Sequence, residues 1–221
     1  MKLHLVRILA LGALWLALPG ILSAQPIVAA HYPAGAEGIK GASLPPPGVY
    51  FRDYNFFYFA DRFKDGPPEF EIFAYVNAPR LIWMTDWKIL GATYGMDVIV
   101  PFAYMDWKVM GTSDDHFGLG DIQIEPLLLA WHQPQWDLAF GYAIWAPTGD
   151  FSTSRPDLVA KGFWSHMLTL GATWYFDQDK TWALSLLNRY EFCHEQEDTD
   201  IEPGQVYTLE AGLSKSLSKT V

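Results

Sequence analysis

The chain has 221 residues, of which 50% are hydrophobic and 16% aromatic, and only 18% are charged, against about 25% in ordinary soluble domains. Its 25 acidic and 15 basic residues give a net charge of −10, which argues against nucleic acid as a partner. Beyond the N-terminus no apolar run approaches the roughly 20 residues of a membrane helix, so the apolar excess needs another placement.

The opening "MKLHLVRILALGALWLALPGILSAQ" sets Lys2 and Arg7 before an apolar core from Ile8 to Leu18, followed by Pro19, Gly20, Ser23 and Ala24. That order predicts a secretory signal peptide over residues 1–24, cut after Ala24 or, alternatively, after Ala30. Losing Lys2 and Arg7 leaves a mature charge near −12. With Cys193 as its only cysteine, the exported chain gets no internal disulfide.

Residues 25–48 are rich in Gly, Ala and Pro and lack periodicity, which predicts an irregular N-terminal segment. Strands are then expected at 49–59, 69–84, 91–105, 118–131, 136–146, 162–176, 181–192 and 206–214, and no segment has a helical period. The links at 60–68, 106–117, 147–161 and 193–205 read as long, those at 85–90, 132–135 and 177–180 as short. Long loops at one end and short turns at the other are the habit of outer-membrane barrels.

The faces point the same way. Leu138, Phe140, Tyr142 and Ile144 alternate with Ala139, Gly141 and Ala143; Leu168, Leu170, Ala172 and Trp174 alternate with Met167, Thr169, Gly171 and Thr173. Tyr207, Leu209, Ala211 and Leu213 oppose Thr208, Glu210, Gly212 and Ser214, and Ile122, Ile124, Pro126, Leu128 and Ala130 oppose Asp121, Gln123 and Glu125. If the bulky side were a soluble core, the outside would be glycine and alanine where lysine and glutamate belong. Facing lipid, the bulky side meets its own solvent, and a closed sheet leaves no bare edge. The sequence therefore predicts an all-β fold, an antiparallel up-and-down transmembrane β-barrel over 49–221 with about eight strands present, in the bacterial outer membrane.

In the second strand, Phe70, Ile72, Ala74, Val76 and Ala78 read as the lipid face, with a bulge at Pro79 that leaves Arg80 inside and Trp83 outside. The first strand is aromatic on both faces. Trp87, Trp131, Trp136, Trp174, Tyr175, Phe176 and Trp182 beside the short turns suggest one aromatic girdle, and Tyr104, Trp107, Trp145, Phe163, Trp164, Tyr190 and Phe192 beside the long loops suggest the other. The final "GLSKSLSKTV" lacks a closing aromatic strand end and reads as C-terminally incomplete.

The lumen candidates are Arg80, Asp97, Asp121, Gln123, Glu125, Arg189 and Glu191, together with Arg52 or Asp53, Glu71, Asn77 and Glu210. They fit a polar path whose acid excess repels anions, or a plug of paired charges filling a narrow barrel. Glu195, Glu197, Asp198, Asp200 and Glu202 near His194, and Asp114, Asp115 and His116, lack calcium-loop spacing and read as solvated loop charge. Adjacent Ser165 and His166 fall on opposite faces of a strand and cannot pair as nucleophile and base, so no catalytic residue, metal or cofactor is expected.

The stretches "HYPAGAEGIKGASLPPPGVYFRDYNFFY", "PRLIWMTDWKILGATYGMDVIVPF", "GLGDIQIEPLLLAWH" and "GYAIWAPTGDF" resemble the outer-membrane family labelled the putative MetA-pathway of phenol degradation. The resemblance covers nearly the whole mature chain and implies a longer barrel tied to uptake of aromatic compounds and hydrocarbons, with no agreed site residues. Together these readings give a barrel for passive passage or binding of small aromatic or apolar solutes, with outer-membrane lipid as its surroundings. The alternatives are a plugged barrel whose loops do the recognition and, further off, an outer-membrane hydrolase.

Overall fold

The computed structural model describes residues 30–62, 66, 68–155 and 159–217, so the expected signal peptide lies outside the described residues. Among them ten strands form one antiparallel sheet: β1 (Gly48–Ala60), β2 (Glu71–Ile89), β3 (Ala92–Ile99), β4 (Phe102–Val109), β5 (Thr112–Leu119), β6 (Ile122–His132), β7 (Trp136–Ala146), β8 (Ser165–Tyr175), β9 (Trp182–Cys193) and β10 (Val206–Lys215). Among the described residues there is no helix.

The eight expected strands become ten because two of them are interrupted. β2 pairs through its second half with β3 and through its first half with β4, so β3 and β4 are successive parts of one long strand broken at Val100–Pro101. β5 and β6 are likewise parts of one strand broken at Gly120–Asp121, and Gly120 N–H bonds Pro101 O at 2.8 Å, carrying the ladder across both breaks. Pro101 has no N–H to give the ladder, which explains the interruption. The expected long loop at 106–117 is corrected: it is the β4–β5 hairpin, closed by the two residues Met110 and Gly111. Leu90–Gly91 closes β2 and β3 in the same way, and both pairs have φ between +51° and +80°, the twist a two-residue hairpin requires.

Residues of β1 and of β10, each paired along one side only, line one cavity, so the sheet has curled around a lumen. β1 pairs with β2 and β10 with β9, and they are not paired with each other. On β7, β8, β9 and β10 the parity is as the sequence implies: the small and polar residues are on the inner, more buried side, and Leu138, Leu168, Leu170, Leu186, Leu209 and Leu213 are exposed on the convex side. Asn188 lies on that convex side, where its amide donates to Leu170 O and its carbonyl accepts from Tyr207 OH.

Two faces are corrected. β1 and β2 pair without any shift from Gly48↔Met84 to Ala60↔Ile72, so there is no bulge at Pro79. Ile72, Ala74, Val76, Ala78, Arg80, Ile82 and Met84 consequently share one side, the lumen, while Phe73, Leu81 and Trp83 are exposed. Asn77 and Glu71 go outward with them, and Asn77 bonds Asp53 and Asn55 of β1 at 2.8 and 3.2 Å. Register shifts fall instead in β2 against β3, between Met84 and Lys88, and in β6, between Ile124 and Leu127, beside Pro126. Past Pro126 the parity flips, and Leu128 and Ala130 pack inward on Ile82 and Met84 instead of facing lipid.

Before β1, residues 30–47 form a strap along the inner wall. His31 sits at the end of the sheet where β8 begins and β9 ends, beside Ser165 and Glu191, and Ser43 sits at the other end, beside Thr173 and Tyr175. The strap therefore runs the length of the lumen before β1 starts. The small inward residues give it room: a Cβ on Gly171 would stand 2.7 Å from the Ala42 Cβ.

Candidate functional site

All seven lumen candidates, Arg80, Asp97, Asp121, Gln123, Glu125, Arg189 and Glu191, are buried, and the structure sorts them into two clusters joined by the strap. Arg80 is the centre of the first. Its Nη1 bonds Glu37 Oε1 at 2.7 Å and Tyr54 OH at 3.1 Å, and its Nη2 bonds Asp97 Oδ2 at 2.5 Å and Glu125 Oε2 at 3.2 Å. Gln123 Nε2 donates to the other Asp97 oxygen at 3.3 Å. Arg189 reaches Glu37 with Nη2 at 3.4 Å, bonds Thr169 with Nε, and lies 3.9 Å over the Tyr32 ring. Arg52 adds a third guanidinium to Glu37, which settles the open choice between Arg52 and Asp53 in favour of Arg52. Gly141 leaves room for that carboxyl, since a Cβ there would stand 2.3 Å from Glu125 Oε1.

His31 organises the second cluster. Its Nε2 faces Asp121 Oδ2 at 3.1 Å and its Nδ1 faces Glu191 Oε1 at 3.0 Å, while its backbone N–H donates to the same Glu191 oxygen at 2.9 Å. Asp121 also accepts backbone N–H groups from Gly149, Lys161 and Gly162, which ties the β5–β6 break to the loop before β8. The imidazole stacks on Trp145 at 5.0 Å and is tilted against Phe163 at 4.5 Å. Trp145 and Phe163 are therefore interior clamps and are removed from the expected outer girdle, whereas Trp164, Tyr190 and Phe192 remain on the outside.

Ser165 Oγ lies 2.9 Å from His31 Nδ1, so Ser165, His31 and Asp121 are linked as a hydrolase triad would be. The chemistry does not follow. Ser165 has 0% exposure, and its hydroxyl donates to Glu191 at 2.7 Å, so no substrate carbonyl can reach it and its proton is already committed. His166 points the other way, to Tyr142 OH on the convex side. The acidic loop residues 195–202 and the His116 region do not gather three ligand-type side chains among the described residues. His116 instead bonds Asp150, which also takes Arg155.

The cavity of about 640 Å³ lies between the strap and the β1–β2–β4 wall. Its wall there is largely small and apolar, with Ala74, Val76, Ala78, Ala103, Ile99 and Pro101, and Arg80, Asp121, Trp145, Lys161 and Arg189 border it on the strap side. Sequence reasoning missed His31, Tyr32 and Glu37, which sit in the segment without periodicity.

Glu37 holds the middle of the strap. Burial alone would raise its carboxyl pKa, but Arg80, Arg189 and Arg52 outweigh burial and keep it below the ordinary range. A depressed carboxyl stabilises fully above its unfolded value, about 4.3, and that contribution fades as pH falls through the lower folded value. Unfolding titrations should thus show an acid limb below about pH 4.3 that Glu37→Gln flattens. Identical acid limbs in the two proteins would mean that Glu37 does not hold the strap.

A family model described as "Putative MetA-pathway of phenol degradation" matches residues 58–221. No curated protein matches the chain. Among solved structures, the COG4313 outer membrane channel from Pseudomonas putida F1 is similar with a TM-score of 0.63 at 17% identity, over 78% of this chain and 67% of that one. At that identity the likeness is one of fold: an all-β antiparallel barrel wall.

Proposed function

This chain belongs to the family described as "Putative MetA-pathway of phenol degradation", and from that premise we propose that it is an outer-membrane channel for passive passage of small apolar or aromatic compounds. The observation that carries the reading is the apolar cavity of about 640 Å³ held inside a sheet whose convex side is leucine and aromatic. A wall of Ala74, Val76, Ala78 and Ala103 lets an apolar solute slide without a specific anchor, and the paired charges beside it offer an unbound ion nothing to exchange for its water. Arg80, Asp97, Asp121, Gln123, Glu125, Arg189 and Glu191 act in this reading as lumen residues that seat the strap and narrow the path. No catalytic step and no cofactor enters it.

A second reading has its own support. The strap and its ion pairs occupy the lumen along its length, as a plug would, leaving recognition to the loops. Planar-bilayer conductance and flux of toluene into vesicles separate the two. Gly171→Val must push Ala42 and the strap away from β8, an overpacking of about 1–3 kcal/mol. Displaced toward the β1–β2–β4 wall, the strap narrows the cavity, so conductance and flux should fall, whereas Leu170→Val on the convex side should leave both unchanged. A closed protein in both variants, with no toluene flux, would support the plug and remove the channel.

A further inference from the structure

The convex side of the sheet carries a polar break in its apolar surface. Asp53 stands opposite Pro79, and Asn55 opposite Asn77, so they lie on the side of Phe51, Phe73 and Leu81, away from the lumen. There they form one network with Tyr75. Asn77 Nδ2 donates to Asp53 Oδ1 at 2.8 Å and to Asn55 Oδ1 at 3.2 Å, Asn55 Nδ2 donates to Asp53 Oδ2 at 3.0 Å, and Tyr75 OH donates to Asn55 Oδ1 at 2.6 Å. These bonds fix the four side chains and leave a defined remainder. Asn77 Oδ1, a second lone pair on each Asp53 oxygen and one hydrogen of the Asn55 amide have no partner among the described residues. The cluster thus presents three acceptor positions and one donor, with Asp53 and Asn55 exposed. Phe57, 68% exposed, stacks on Tyr75 at 4.8 Å and adds an aromatic face beside it.

Height decides what this cluster meets. Counted along the chain, Asn77 stands as far from Leu90, in its short turn, as Phe192 of the outer girdle stands from Asp179 in its own. A strand crosses hydrocarbon in about 9–11 residues, so both lie at headgroup level in the leaflet of the long loops. Charge and hydrogen bonding then select the headgroup. A phosphate, alone or beside an ammonium, meets the Asp53 carboxylate, and a second copy docked by the same face sets Asp53 against Asp53. An ammonium also leaves the Asn55 N–H unanswered. A sugar answers every part: its hydroxyls donate to Asp53 and Asn77 and accept from Asn55, and the C–H face of its ring covers Phe57. We propose that Asp53, Asn55, Asn77 and Phe57 form a docking site for the uncharged sugar headgroup of an outer-leaflet glycolipid. The site is outside the lumen and serves an open channel or a plugged barrel equally.

The test places the full chain in phosphatidylcholine nanodiscs doped with equal amounts of digalactosyldiacylglycerol, phosphatidylethanolamine and phosphatidylglycerol, and counts the lipids it retains by native mass spectrometry. The glycolipid should be enriched over each phospholipid by roughly three- to tenfold, the range of a single net hydrogen bond. Asp53→Leu and Asn77→Leu put ordinary lipid-facing side chains in place of the cluster and should abolish the enrichment. Asp53→Asn keeps the shape, guards against a loss of fold and should lower the enrichment by about threefold. Asn188→Leu, on the convex side of β9, should leave it unchanged. Equal retention of all four lipids, or enrichment that survives the Asp53 and Asn77 variants, overturns the site. Preferential retention of phosphatidylethanolamine or phosphatidylglycerol overturns the sugar class. Added lactose should not displace the glycolipid, and displacement would assign the cluster to a soluble sugar and overturn the lipid source.

Discussion

Leu170→Arg should lower the free energy of unfolding from a lipid bilayer by about 2–4 kcal/mol, while Thr208→Arg should lower it by roughly half that or less. Leu170 is the sixth residue of the eleven in β8, on the convex side, 59% exposed, and it stands opposite Phe140 of β7. At that height an arginine can reach neither interface without bending the strand, so its charge stays in hydrocarbon. Thr208 lies on the inner side of β10 and lines the cavity, where a guanidinium finds Glu210 two residues away on the same face. The pair is chosen to ask one question, which side of the sheet meets oil. Denaturant titration of both variants in vesicles answers it, and the opposite order would place lipid against the cavity side.

Where the alternation of bulky and small residues is strict, as in β7, β8 and β10, the sequence states the face of every residue, because only one parity keeps glycine and threonine out of lipid. β2 fails for the opposite reason. Both of its sides are apolar, Phe73, Leu81 and Trp83 on one and Ile72, Val76 and Ile82 on the other, so period two carries no sign, and only a bulge reconciles Arg80 with the parity read from the sequence. The bulge in β6, beside Pro126, is followed by Leu127, Leu128 and Leu129, a run that reads equally well before and after a flip. The β4–β5 hairpin was hidden by Asp106, Asp114 and Asp115, whose charges imitate a loop when a strand extends past the apolar band.

The strap was hidden more deeply. His31 meets Glu191, 160 residues away, and no local pattern encodes a contact of that range. Its trace in the sequence is indirect: inward glycines such as Gly171 leave a space, and something must fill it. The candidate residues themselves were legible because polar side chains on the small face of a strand have one place to go. What they bind to was not, since Glu37 and His31 supply the partners from a segment with no period.

Arg80→Met should destabilise the protein by about 3–5 kcal/mol, and the reason lies in what it leaves behind. Methionine fits the volume and suits the neighbouring Ala78 and Ile82, so the loss of packing is small. The carboxyls of Asp97 and Glu125, however, lose the guanidinium they share, and both side chains are almost wholly removed from solvent, Glu125 at 2% exposure. Glu37 loses one of its three cations, which loosens the strap at its middle. Neutralising the stranded acids should therefore restore most of the loss: Arg80→Met combined with Asp97→Asn and Glu125→Gln should recover more than half of the deficit measured in the same unfolding titration. Glu125 can take the amide without moving, since Gln has the same shape against Gly141. If the triple variant is no more stable than Arg80→Met alone, the penalty comes from lost packing and not from unpaired charge, and the lumen cluster is then held together by shape. If it recovers, the cluster is an electrostatic unit in which one arginine answers for three carboxyl groups, and the strap's hold on the barrel wall is set by that arginine.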